Sequence, residues 1–112
     1  MKFGALHMDV QKIVIAIRNT RVHITDHATI EMENDQLAYS DICYSVTNSG
    51  EVVERYPSDK PYPSCLILGW KDSTTPIHSV WAYNADTLSA VLITVYRPDP
   101  RRWIDWKTRV FQ

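Results

Sequence analysis

A chain of 112 residues, 45% of them hydrophobic and 22% charged, has apolar side chains enough for one core and too little length for two. That content excludes a disordered chain, and a formal net charge of −1 gives no whole-molecule field for nucleic acid or a membrane surface. The charge is unevenly placed, however. Residues 1–54 hold four Lys/Arg against eight Asp/Glu, and residues 55–112 hold eight against five, which leaves the halves at −4 and +3. Such a split fits two solvated surfaces or one end facing a polyanion.

The opening Met1–His7 has no apolar signal-peptide core, and no apolar run approaches the roughly 20 residues that cross a bilayer. A cytoplasmic protein with no membrane partner is expected. Cys43 and Cys65 form no paired motif and sit in apolar runs, the pattern of buried free thiols rather than of a disulfide or a zinc site. Free thiols suit a reducing compartment.

Met8 to Asn19 reads as a helix, because Val10, Ile13, Val14 and Ile17 recur at i, i+3, i+4 and i+7. Val22 to Thr25 is a short extended link. Thr25 is placed to cap a second helix, with Asp26 near its start and Ala28 and Met32 on one face. Ser40 is placed to cap a third, Asp41 to Thr47, with Ile42 and Val46 inward and Asn48-Ser49-Gly50 as its stop.

After Glu51 the apolar period becomes strand-like, over Glu51–Tyr56, Cys65–Lys71, Ile77–Tyr83 and Leu88–Tyr96. The first join carries Pro57, Pro61 and Pro63 around Lys60 and Tyr62. Proline donates nothing to a sheet ladder and stiffens its neighbours, so this loop should be rigid and exposed. Short joins imply antiparallel neighbours, since a parallel return needs a crossover of a dozen or more residues. Pro98 and Pro100 end the last strand, and Arg101 to Lys107 has room for a helical turn. The expectation is one α+β domain over residues 1–112, with two or three N-terminal helices packed on a four-stranded antiparallel sheet. Ile13, Ile17, Met32, Val46, Leu66 and Leu92 are its predicted core.

Several motifs fall in one order: Ile24-Thr25-Asp26-His27-Ala28, Tyr56-Pro57-x-Asp59-Lys60-Pro61-Tyr62-Pro63-Ser64, Leu66-Ile67-Leu68-Gly69, Pro76-Ile77-His78, and Tyr96-x-Pro98-Asp99-Pro100-x-x-Trp103. Over residues 22–109 this pattern resembles the bacterial family called domain of unknown function 4258, itself similar to the RelE/ParE-like toxins. The resemblance implies a RelE-like fold, a toxin-type ribonuclease activity on RNA, and a small antitoxin-like protein partner. One departure stands out. The family places arginines after the helix histidine where this chain has Glu31 and Asp35, so two basic positions are acidic.

RNA cleavage by its own 2′-hydroxyl needs a base for that proton and an acid for the departing 5′-oxygen, and imidazole serves as either. His27 and His78 are the candidates, against structural readings as a first-turn helix residue and a core histidine; they are expected in one neighbourhood at the helix–sheet junction. Arg97 is the candidate for stabilising transition-state charge, against a rim arginine paired with Asp99. Arg55, Lys60, Tyr62, Tyr96 and Arg101 are candidate substrate-binding residues, cations for phosphate and aromatics for bases. Trp103 and Trp106, among Arg101, Arg102 and Lys107, read either as a basic-aromatic surface or as a lid packed on the sheet. Trp70 and Trp81 read as sheet residues. No Gly-rich phosphate loop, nucleophile elbow or Cys/His metal spacing occurs, so no cofactor or metal is expected. Two functions remain: a metal-independent endoribonuclease or a degenerate relative, and a non-enzymatic module binding an antitoxin-like partner.

Overall fold

A computed structural model describes residues 9–111. Met1–His7, and Met8 at the expected start of the first helix, lie outside the described residues. Helix α1 runs Val10–Arg18, opened by Asp9, whose side chain accepts from the Gln11 N–H. It buries Ile13, Val14 and Ala16. Helix α2, Asp26–Asn34, begins where Thr25 accepts from the Ala28 N–H, as its sequence position predicts. Helix α3 is longer than expected, Tyr39–Ser49. Its start is set not by Ser40 but by Asp41, whose carboxylate accepts from the Ala38 N–H at 3.2 Å. An acidic side chain in the first turn also suits the positive end of the helix dipole.

Strands β2 (Glu51–Tyr56), β3 (Ser64–Asp72), β4 (Thr75–Asn84) and β5 (Ser89–Tyr96) form the antiparallel meander that their short joins require. The sheet is larger and mixed, which corrects the four-stranded antiparallel expectation. Val22–Ile24 is a strand, β1, lying parallel to β5, so five strands run in the order β1-β5-β4-β3-β2. The antiparallel rule holds for neighbours joined by short turns. The chain from β1 to β5 is instead a long excursion through two helices and three strands, which leaves a parallel return open.

The expected C-terminal helical turn is also absent. Trp103–Ile104 (β6) and Thr108–Arg109 (β7) form a hairpin. Its turn residues, Asp105 and Trp106, have φ of 52° and 66°, and the Lys107 N–H closes it on the Ile104 carbonyl at 3.0 Å. Two successive positive φ values mark a primed hairpin turn, whose twist matches the strands it joins.

All three helices lie on one face of the sheet. Ile13, Ile42, Val46, Ile67, Ile77, Trp81, Leu92 and Val95 are buried together there, with Ile17 and Met32 partly buried against them. Gly69 marks the closest approach: a Cβ at that position would stand 2.1 Å from the Ser45 carbonyl oxygen, so only glycine lets α3 settle on β3. Leu66, expected in this core, is fully buried but belongs to the opposite face of β3, since side chains alternate along a strand and its neighbours Cys65 and Ile67 point to the helices. Among the described residues no helix is long and apolar enough to cross a membrane. Both cysteines are free, Cys65 fully buried and Cys43 half-buried; burial pushes the Cys65 thiol up to about 12, so it is inert as a nucleophile.

Candidate functional site

On the face away from the helices, alternation aligns Glu54 and Tyr56 of β2, Leu66 and Leu68 of β3, His78 of β4 and Tyr96 of β5. The β6–β7 hairpin covers this row. Trp103 packs edge-on to the His78 ring, 4.4 Å between centroids, and the hairpin turn brings the Trp106 carbonyl oxygen to 2.7 Å from His78 Nε2. A carbonyl only accepts, so Nε2 carries the proton. The other nitrogen, Nδ1, is then an acceptor for the Tyr96 hydroxyl at 3.1 Å. His78 is thus held neutral in one tautomer, with no exposed surface of its own. Burial lowers its pKa, the charge of Arg109 adds to that, and the Trp106 carbonyl and Glu54 only partly oppose it.

Beside it, Arg109 on β7 grips Glu54 with two parallel bonds of 2.8 and 3.1 Å, and Tyr56 donates its hydroxyl to the same carboxylate. Burial alone would raise the Glu54 pKa, but these donors outweigh it and hold the carboxyl below its ordinary value. Burial and the Glu54 carboxylate push the Tyr56 hydroxyl up to about 12. The Arg109 guanidinium also lies over the Trp103 ring, 4.7 Å from its centroid. Glu54, Arg109, Trp103, His78 and Tyr96 therefore form one connected unit that fastens the hairpin to the sheet.

An open cleft of about 680 Å³ lies at the end of this unit. Tyr96 and Trp103 form part of its wall, and Arg97, Arg101, Arg102 and Arg109 surround it, with Asp99 as the one acidic side chain lining it. Asp99 is shared: Arg101 forks onto it at 3.2 and 3.0 Å, and Arg102 stands 4.0 Å away. These contacts hold the Asp99 carboxyl below its ordinary range. Arg101 and Arg102 keep 88% and 79% of their side chains exposed, so both remain able to meet an anion from solvent.

The expected pairing of His27 with His78 does not form. His27 lies on α2, on the helix side of the sheet, with 64% of its side chain exposed and Glu31 at 3.7 Å, while His78 is sealed on the other side. The cause is strand alternation: Ile77 takes the helix-facing position and His78 the opposite one. Arg97 reaches the cleft wall but is already engaged. Its main-chain N–H donates to the Asp35 carboxylate at 2.8 Å and its Nε–H to the Asp35 carbonyl at 2.9 Å, which fastens the end of α2 to the end of β5. Asp35, one of the two acidic replacements, thus has a structural partner.

Tyr96 and Arg101 line the cleft; Arg55, Lys60 and Tyr62 do not. Arg55 neighbours Glu54 on β2 and so points to the helix side. Lys60 is exposed on the proline loop, where the Asp59 carboxylate accepts from its main-chain N–H and from the Ser64 hydroxyl. Glu54, Tyr56 and Arg109 are not among the residues the sequence singles out. The signal available was the alternation of Glu54 and Tyr56 along β2, but their partner Arg109 is 55 residues away from Glu54 and unreachable by pattern. Of the two readings of Trp103, the buried lid is the observed one.

The model of the family described as Domain of unknown function (DUF4258) matches residues 24–97. The chain belongs to this family. The match runs from the end of β1 at Ile24 to the start of the cleft wall at Arg97, so α1 and the β6–β7 hairpin lie outside it. Comparison with curated proteins and with solved structures gives no match.

Proposed function

We propose that this family member acts on RNA, as a RelE-like, toxin-type, metal-independent endoribonuclease or a degenerate relative of one, and that it takes the strand into the arginine-walled cleft beside Tyr96. The observation that carries the reading is the cleft itself. Four arginines line one concavity in a chain whose net charge is near zero, and Arg101 and Arg102 keep most of their side chains exposed. Guanidinium forks match phosphate oxygens, and such contacts dominate affinity for a polyanion.

A titration of labelled single-stranded RNA at two salt concentrations, with a chelator present, tests this. Replacing Arg101 and Arg102 together with alanine is expected to weaken binding about tenfold at low salt, and to flatten the salt dependence by roughly 0.7 for each phosphate no longer neutralised. Failure of the unmodified chain to bind at low salt would end the reading.

One observation favours a non-enzymatic module that binds a small antitoxin-like protein. Arg97, Arg101 and Arg109 already have in-chain carboxylate or carbonyl partners, which leaves less free positive charge for RNA. Copurification of a small partner encoded beside this chain, with no RNA binding, would decide for that module.

A further inference from the structure

We infer that Tyr96 and His78 form a proton relay at the cleft, in which the Tyr96 hydroxyl meets the RNA 2′-hydroxyl and His78 receives the proton behind it. The inference rests on RNA being the substrate. Its basis is a division of labour fixed by geometry. His78 is the only residue of the pair with a basic nitrogen, yet it has no exposed surface and cannot touch a strand. Tyr96 lines the cleft and has its hydroxyl 3.1 Å from that nitrogen.

A phenol has one proton and two lone pairs. With its proton given to His78 Nδ1, the Tyr96 oxygen keeps lone pairs able to accept a second proton. The step balances without any co-reactant. The 2′-hydroxyl proton passes to the Tyr96 oxygen as the tyrosine's own proton moves to Nδ1, making His78 an imidazolium. The 2′-oxygen bonds to the adjacent phosphorus, the bond from phosphorus to the 5′-oxygen breaks, and that oxygen takes a proton from water. The products are a 2′,3′-cyclic phosphate and a 5′-hydroxyl, and the imidazolium returns its proton to solvent through Tyr96.

The surroundings of His78 favour the neutral ring overall, so the imidazolium is short-lived, and two groups ease its formation. Its Nε2–H keeps the Trp106 carbonyl at 2.7 Å in both protonation states. Glu54 of β2 favours the charged ring and Arg109 of β7 disfavours it. The two bear on it as a paired ion couple rather than as a lone charge. The primed hairpin turn, with Trp106 at φ 66°, is what brings the Trp106 carbonyl to the ring.

Tyr96→Phe removes one oxygen and little volume. Its expected behaviour is RNA affinity within about twofold of the unmodified chain and cleavage at least about 100-fold slower. His78→Gln serves the second arm. The cleavage rate of the unmodified chain should rise with pH along a limb below the ordinary histidine pKa, and that limb should vanish in the variant. Should His78→Gln not fold, nitrogen-15 NMR of the unmodified chain replaces it, with the neutral Nε2–H tautomer expected. Equal cleavage by Tyr96→Phe, or an Nδ1–H tautomer, overturns the relay and leaves RNA as substrate. An unmodified chain that binds RNA but never cleaves it overturns the relay and the endoribonuclease reading together.

Discussion

On the helix side of the sheet, Ile13, Ile42, Ile67, Ile77, Trp81 and Leu92 meet with almost no polar atom among them. On the other side Glu54, Tyr56, His78, Tyr96 and Arg109 meet under a short hairpin, every one carrying a polar group, and each of those groups has a partner. The first face is held by shape and area, each large side chain contributing roughly 1.5–3 kcal/mol by leaving water. The second is held by directed bonds, whose net worth is smaller but whose geometry is fixed. The difference teaches where chemistry can sit in a domain of this size. The apolar face fixes the strands, and the polar face can then hold a histidine in one tautomer without risking the fold.

The sharpest way to break the comparison is at Gly69. Gly69→Ala drives a methyl group into the Ser45 carbonyl, so α3 must lift from β3, and a loss of about 3 kcal/mol is expected in denaturant unfolding. The polar face should respond more mildly. Arg109→Ala removes the fork onto Glu54, but the Arg109 side chain is 63% exposed and solvent screens much of its charge. About 1 kcal/mol is expected, with hydrogen exchange quickening in β6–β7 and unchanged in α1. Equal exchange in both regions would mean that the two faces are one cooperative unit.

The smallest expected effect is one of pH. The folded-state pKa of His78 lies below its ordinary value, so as pH falls the unfolded chain takes this proton first. Stability is then lost from about pH 6.5 downward, toward the lower folded value. A melting temperature that declines between about pH 7.5 and 5.5, and declines less in His78→Gln, is the expected result. A decline of the same size in both would take His78 out of the account.

Much of the helix side was legible. The spacing of Val10, Ile13, Val14 and Ile17 marks α1, Thr25 marks the start of α2, and the proline loop marks the first hairpin join, because each signal is local. The three-residue β1 was not, since Val22 to Ile24 is too short to show a period and its partner Ala90 lies far along the chain. The hairpin escaped for another reason. Asp105-Trp106 adopts a turn that Asn-Gly or Asp-Gly usually announces, and a tryptophan in its second place gives no such warning. Of the candidate site, His78 and Tyr96 were named singly. Their bond depends on cross-strand register, with His78 opposite Tyr96, and a bulge at Val80/Trp81 shifts the ladder beyond that pair.

The parallel seam between β1 and β5 also bears on how the chain reaches this form. Val22 finds Ala90 only once most of the polypeptide is available, and Thr25, which opens α2, ties its hydroxyl to the Ile93 carbonyl at 2.9 Å. During synthesis the first two helices emerge with their apolar sides uncovered and wait for the fifth strand to arrive. Long-range closure of this kind is slow compared with helix formation, and the waiting segment is the part exposed to mispairing.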